Sequence, residues 1–311
     1  MGLSLIIIQK IFTMFLLTLA GFICTKVGII DTNTGKKLSV LALKLVTPML
    51  IFSSYHMEYD PRIVKNLGIS FLLVLLAYAI QIPLAFLLAR KSKNGDNRHN
   101  LERLCLIFTN CGFFGIPLIN GLYGAEGVVY LTAFFTVFNI LIWILGVPLL
   151  AGKTSPKDTL KNIISPATVA SVLGLITLLL RIKLPAVILE PIEMIGSMNT
   201  PFAMIVAGSS IAMTKWSTGL KNPRLYYITA CKNLIIPAVA VCIYALLPLE
   251  PMLIMIPIFA IACPVAAACP MFSVMYDQDT DYASQLFAVT TLLSIVTIPM
   301  IYLLSSAIGI R

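Results

Sequence analysis

The chain has 311 residues, 59% of them hydrophobic and only 11% charged, with a formal net charge of +9. A soluble domain carries roughly 25% charged residues, so this composition excludes a water-soluble globular fold and makes lipid the solvent. Seven cysteines lack zinc-type C-x-x-C spacing, and no P-loop, H-E-x-x-H or G-x-S-x-G pattern occurs, so nothing points to a primary pump or a hydrolase.

A bilayer core of about 30 Å takes about 20 apolar residues per helix. Ten such runs are predicted, at 4–25, 38–56, 67–89, 101–122, 127–150, 165–181, 186–213, 225–247, 252–275 and 283–307. They are too long and too uniformly apolar for barrel strands. The first contains Lys10 and is followed by no small-residue cleavage site, so it reads as a helix and not a signal peptide. The second carries Lys44, Thr47-Pro48, Ser53 and Ser54. Those serines either line a site or bond their own backbone. The fourth contains Thr109-Asn110-Cys111-Gly112-Phe113-Phe114-Gly115-Ile116-Pro117, and the fifth has Asn139 at mid-span. Residues 151–164 form a short linker. Glu190 and Glu193 open the seventh run, where acidic residues complement a helix N-terminus.

The eighth run carries Lys232 and Asn233, with Lys232 about seven residues in. It either snorkels to the surface or serves the interior, facing an anionic substrate or replacing a bound cation. No buried carboxylate is expected in the neighbouring spans to pair with it. The ninth run reads Cys263-Pro264-Val265-Ala266-Ala267-Ala268-Cys269-Pro270, and Asp277, Asp279 and Asp281 follow in a solvated turn that suits a cytoplasmic gate. His56 and His99 are placed in loops and imply no metal.

The chain is written twice at an offset of 153 residues: Thr47-Pro48 recurs as Thr200-Pro201, Gly21 as Gly174, Pro117 as Pro270, Tyr123 as Tyr276 and Phe134 as Phe287. Five helices per half is an odd number, so the second copy starts from the opposite side of the membrane. Loop lysines and arginines divide 14 to 5 between the two sides, which places both termini outside by the positive-inside rule. The basic charge is thus an orientation signal and implies no nucleic-acid partner. Proline removes a helical hydrogen bond and clashes with the preceding turn. Interrupted segments at matching positions of two inverted halves mark a transporter's substrate site. The alternative is a pair of proline-kinked packing helices. Asn110 either pairs freed backbone or binds a substrate carboxylate, and Asn139 lies near the expected crossing.

The stretch Asn110 to Leu118 with Tyr123-Gly124, the stretch Pro270 to Tyr276 continuing through Ala283-Ser284 to Ile298-Pro299, and Thr47-Pro48-Met49-Leu50-Ile51-Phe52 resemble signatures of the auxin efflux carrier family, which holds plant PIN carriers and bacterial permeases. The resemblance covers the whole chain. It implies an all-α membrane protein of ten transmembrane helices in two inverted five-helix repeats, 1–150 and 165–311, with crossed broken helices 4 and 9, as in NhaA and bile-acid transporters. It also implies a homodimer in which helices 3–5 and 8–10 move as an elevator against a scaffold of helices 1, 2, 6 and 7. The long hydrophilic loop of plant members is missing, and Ile51 stands where they often carry serine. Small dicarboxylates such as malate or malonate, as assigned to bacterial relatives, are therefore expected ahead of auxin-like acids.

The function expected is secondary active transport of small organic anions across the plasma membrane, without a cofactor; a passive channel or an exchanger of another substrate class is the alternative. Substrate contacts are expected at Asn110, Gly112, Gly115, Pro117, Asn139, Ser53, Ser54, Pro264 and Pro270, with Lys232 and Asn233 as charge partner or cation substitute.

Overall fold

The computed structural model describes residues 3–90, 98–152, 164–216 and 221–310. Among them every regular element is a helix, and the one β-type contact is an isolated bridge. In chain order these are α1 (Leu3–Lys26), α2 (Thr32–Ser54), α3 (Pro61–Leu88), α4 (Arg98–Ile107), α5 (Cys111–Ala151), α6 (Pro166–Leu179), α7 (Ala186–Ser197), α8 (Asn199–Met213), α9 (Pro223–Tyr244), α10 (Pro251–Ala262), α11 (Ala268–Met275) and α12 (Thr280–Ala307). Most of the expected linker, with Lys153, Lys157 and Lys161, lies outside the described residues, as do Lys91, Lys93 and Arg311.

Six helices (α1 from Ile7, α2, α3, α5, α9 and α12) are long and apolar enough to cross a membrane, and α6 and α10 are shorter apolar helices. The difference from ten uninterrupted runs has local causes. The fourth and ninth runs are cut where α4 stops at Ile107 and α10 at Ala262, and the seventh is divided at Met198. Conversely, α5 continues past the expected boundary between the fourth and fifth runs. It kinks there at Gly124 (φ 63°, ψ −154°), a conformation that only glycine adopts without strain.

Prolines shape the helices in a second way. The turns Ala42–Val46, Cys111–Gly115, Ile142–Gly146 and Cys231–Ile235 are π-helical, and each is followed by an X-Pro pair: Thr47-Pro48, Ile116-Pro117, Val147-Pro148 and Ile236-Pro237. In each case the residue before the proline donates its N–H five residues back, to Ala42, Cys111, Ile142 and Cys231. Proline has no N–H and its ring crowds the carbonyl four residues earlier. Widening the turn by one residue relieves both problems without ending the helix, as π-bulges do.

Between lipid-exposed helices the drive to associate is close packing and not water exclusion. Small residues provide it here. α1 lies on α8, where a β-carbon on Gly21 would meet the Ile205 carbonyl oxygen at 2.2 Å and one on Gly208 the Thr18 carbonyl oxygen at 1.9 Å. α6 lies on α2, where a β-carbon on Gly174 would meet the Tyr55 ring at 2.6 Å. Thr47 donates to Asn199 Oδ1 at 2.8 Å, joining α2 to α8. α3 and α9 run antiparallel: Tyr227 near the start of α9 donates to the Leu88 carbonyl at 3.3 Å, and Tyr244 at its end donates to the Leu73 carbonyl.

Gly208→Ala should therefore force α1 and α8 apart, costing about 1–3 kcal/mol as overpacking does and lowering the melting temperature in detergent. Gly68, on an exposed stretch of α3 with open space around it, provides the contrast. Gly68→Ala should be neutral or stabilising by about 0.5–1 kcal/mol. Equal melting of the two variants would show that the α1–α8 contact is not tight.

Candidate functional site

Among the described residues two of the predicted apolar runs are interrupted by non-helical backbone, at Phe108–Asn110 between α4 and α5 and at Cys263–Ala267 between α10 and α11. The two interruptions meet. Thr109 and Val265 form an antiparallel bridge, Asn110 N–H donates to the Pro264 carbonyl at 2.8 Å, and Ala266 N–H donates to the Phe108 carbonyl at 3.1 Å. An unpaired backbone group in hydrocarbon costs several kcal/mol, and each extended segment supplies what the other has lost.

Side chains complete the crossing. Asn110 is the N-cap residue of α5: its Oδ1 accepts the Phe113 N–H at 3.2 Å. From α12, Thr290 Oγ1 accepts the Val265 N–H at 3.1 Å. The start of α11 has no side-chain cap. Gly115 allows close approach, with Cys263 Sγ 3.4 Å from where its β-carbon would be. Cys105, Cys111, Cys263 and Cys269 flank the two interruptions, all buried and none in a disulfide.

α9 delivers Lys232 and Asn233 on its π-helical turn. Lys232 is 0% exposed, and its ammonium donates to the Leu106 carbonyl at 3.3 Å, in the last turn of α4. It does not snorkel. The cation sits at the negative end of a helix dipole, where charge of that sign is favoured. Asn233 is buried and its amide donates to the Thr290 carbonyl at 2.9 Å and to Thr297 Oγ1 at 3.4 Å. Asn110 Nδ2, Thr109 Oγ1 and Asn233 Oδ1 are buried and have no protein hydrogen-bond partner.

The remaining expected residues are placed unevenly. Pro264 contributes its carbonyl to the crossing, whereas Pro117 and Pro270 lie just inside α5 and α11, past the interruptions. Gly112 faces the Phe135 ring, with a β-carbon there 3.1 Å from Cε2. Asn139 is half-buried and donates to its own Phe135 carbonyl at 3.0 Å. Ser53 and Ser54 both donate to the Leu50 carbonyl, at 3.0 and 2.7 Å. No hydrogen bond brings these three side chains to the crossing.

Two expectations are corrected. A carboxylate is buried beside α9: Glu102 on α4 is forked by Arg224, Nε to Oε1 at 2.9 Å and Nη2 to Oε2 at 2.6 Å, and also accepts the Tyr282 hydroxyl at 3.0 Å. His99 belongs to the first turn of α4 and not to a loop. In the aspartate turn, Asp279 pairs with Arg98 at 2.9 Å and Asp281 with Lys215 at 3.4 Å.

A protein-family model described as "Membrane transport protein" matches residues 6–159 and 153–302. The chain belongs to the auxin efflux carrier family of membrane transport proteins. It is a multi-pass membrane protein of that family. It is 22% identical over 295 residues to an uncharacterized transporter of Methanothermobacter thermautotrophicus, covering 94% of this chain and 96% of the relative. It is 23% identical over 297 residues to one of Methanocaldococcus jannaschii, covering 92% and 94%. A yeast relative, an uncharacterized transporter of Schizosaccharomyces pombe, is 21% identical over 173 residues, covering 50% of this chain and 38% of its own.

In this carrier Asn110→Ala should remove the α5 cap and cost about 1 kcal/mol, read as a lowered melting temperature. Asn110→Ser, which keeps a neutral capping oxygen, should recover most of that loss. An alanine variant as stable as the parent would show that the Asn110–Phe113 bond contributes nothing.

Proposed function

We propose that this carrier moves small organic anions, carboxylates such as malate or malonate or auxin-like acids, by elevator-type alternating access. The observation that carries the reading is the crossing of two interrupted helices with a fully buried lysine against it. α11 presents an uncapped N-terminus, and Asn110 Nδ2 is a buried donor without a protein partner. A carboxylate there would receive charge-assisted hydrogen bonds of about 1.5–3 kcal/mol each and a helix-end contribution of about 0.3–2 kcal/mol. Two such bonds and one helix end total on the order of 3–8 kcal/mol, or millimolar to micromolar binding at most. That is tight enough to select an anion and weak enough to release it. Lys232 balances the charge. Gly112, Gly115 and Pro264 shape the crossing, and Asn139, Ser53 and Ser54 would join only by giving up their backbone bonds.

On this reading residues 1–150 and 165–311 are inverted repeats. The ten passes are α1, α2, α3, α4 with α5 up to Gly124, the rest of α5, α6, α7 with α8, α9, α10 with α11, and α12. The packing supports it: α1 on α8 and α6 on α2 would be the same contact in the two copies, with Gly21 and its repeat partner Gly174 each at a close approach. α1, α2, α6, α7 and α8 form the scaffold, and α3–α5 with α9–α12 form the moving unit. The carrier is a homodimer of the plasma membrane with both termini outside the cytoplasm.

Radiolabelled mono- and dicarboxylates offered to proteoliposomes, with and without pH and sodium gradients, test this directly. Uptake should saturate and depend on Lys232. Lys232→Met keeps the apolar stem and should cut uptake to below about a tenth. Lys232→Arg should not restore it, because a planar guanidinium cannot replace a compact ammonium in a closed space. Wild-type uptake by the methionine variant, at matched protein level, would remove the lysine from the mechanism, and non-saturating flux would make the protein a channel.

A further inference from the structure

α3 and α9 both open on an Asx-Pro-Arg triplet, Asp60-Pro61-Arg62 and Asn222-Pro223-Arg224. In each, the Asx side chain caps the helix by accepting the arginine's own N–H, at 2.8 Å for Asp60 and 3.0 Å for Asn222. In each, the arginine then meets a glutamate that also accepts a tyrosine hydroxyl. Arg62 lies 3.3 Å from Glu126, which takes the Tyr130 hydroxyl at 2.7 Å. Arg224 forks onto Glu102, which takes the Tyr282 hydroxyl. Because α3 and α9 are antiparallel, the two Arg–Glu–Tyr clasps stand at opposite ends of the bundle, separated by about the 40 Å that 28 helical residues span.

The clasps differ in what they hold. The Arg62 clasp ties α3 to α5 and is open to solvent, with side chains 54% and 27% exposed for Arg62 and Glu126. The Arg224 clasp joins α4, α9 and α12, and its glutamate is 3% exposed. One helical turn beyond Glu102 on α4 lies Leu106, whose carbonyl receives Lys232 from α9. The same two helices are therefore joined twice, first by the clasp and then by the lysine at the crossing.

We infer that Glu102 is a positioning residue: with Arg224 and Tyr282 it fixes α4 against α9 and α12, so that Lys232 is seated on the Leu106 carbonyl and the crossing stays closed. The consequence for transport rests on the function proposed above; the seating itself does not. An arginine fork on a carboxylate sets distance and angle together, which a single ammonium–carbonyl contact cannot do.

The test uses the native thiols. Purified full-length protein in nanodiscs is treated with N-ethylmaleimide, and the labelling rate of each cysteine is followed by peptide mass spectrometry. Cys105, Cys111, Cys263 and Cys269 report on the crossing, and the exposed Cys242 is the reference. Glu102→Gln should speed labelling of the crossing thiols about tenfold or more. Tyr282→Phe, which removes one hydrogen bond and little else, should speed it about fivefold. Glu126→Gln, at the other clasp, should leave those rates unchanged, and Cys242 should not respond to any of the three.

Unchanged crossing rates in Glu102→Gln and Tyr282→Phe overturn the inference, and Tyr282→Phe decides alone if Glu102→Gln fails to fold. Equal acceleration by Glu126→Gln also overturns it, since the effect would then be general loosening. Uptake by the same variants separates the two proposals. Opened thiols with normal uptake would uphold the positioning role and remove the crossing from the transport site, whereas closed thiols leave the Lys232 variants to decide the site.

Discussion

The pairing of two stretches of backbone that have left their helices is the constraint on which this molecule turns. Phe108–Asn110 and Cys263–Ala267 would each strand amide groups inside a lipid-embedded bundle. Only a second interrupted segment, antiparallel and in register, supplies donors and acceptors together, as the Asn110–Pro264 and Ala266–Phe108 bonds do. That requirement fixes much else. Four half-helices must end or begin at one place, and small or sulfur-bearing side chains must surround it so that the backbones can approach. A residue from a third helix must cap what the bridge leaves over, which is the role of Thr290.

The buried charges are arranged by the same economy. Glu102 and Lys232 are one helical turn apart in the positions they reach on α4 but do not pair with each other. A carboxylate alone in such a place would be costly, and the arginine fork and tyrosine hydroxyl answer three of its acceptor positions. Lys232 is answered differently, by the Leu106 carbonyl in the last turn of α4, where the helix dipole is negative. An ammonium has three donors, and the Leu106 carbonyl takes one of them at 3.3 Å. A cation held by a dipole and not by a counter-ion keeps the capacity to attract an anion. A cation paired to a carboxylate, as Arg224 is, has spent it.

How much of this could be read from the chain depended on the range of the interaction. The helical class, the apolar runs and the interruption near Asn110 are local, written in hydrophobic length and in glycine and proline. The position of the prolines relative to the interruptions was less legible: Pro117 follows a π-helical turn and lies inside α5, so it marks the widened turn and not the gap. Lys232 was ambiguous because seven residues from a helix end is within snorkelling reach, and only the helices packed around α9 decide that it stays inside. Ser53, Ser54 and Asn139 satisfy themselves on their own backbones, a choice that no spacing rule forbids. Glu102 was missed because it stands near the polar start of a run and its partners lie 122 and 180 residues away. The two Asx-Pro-Arg triplets were in plain view, but 162 residues separate Arg62 from Arg224. A search in the 153-residue register set by the Thr-Pro pairs passes over them.

The two clasps share an arginine, a glutamate and a tyrosine but differ in what they hold together. The two glutamates are not repeat counterparts, since Glu102 and Glu126 both belong to residues 1–150, so their unequal burial reflects the elements each clasp joins. The Glu102 end is the more closed, with three helices drawn together and the glutamate 3% exposed against 40% for Arg224, while the Glu126 end joins two helices and stays in contact with solvent. The aspartate turn adds to the closed end, with Arg98 on Asp279 and Lys215 on Asp281 bridging α4 and the segment after α8 to the start of α12. On the proposed division, parting that end would separate one ion pair already exposed to water, Lys215–Asp281, worth about 0–1 kcal/mol, while the fork onto the buried Glu102 holds α4, α9 and α12 together. Lys215–Asp281 lies between the proposed scaffold and the proposed moving unit, whereas Arg98–Asp279 and the fork onto Glu102 both lie within the moving unit.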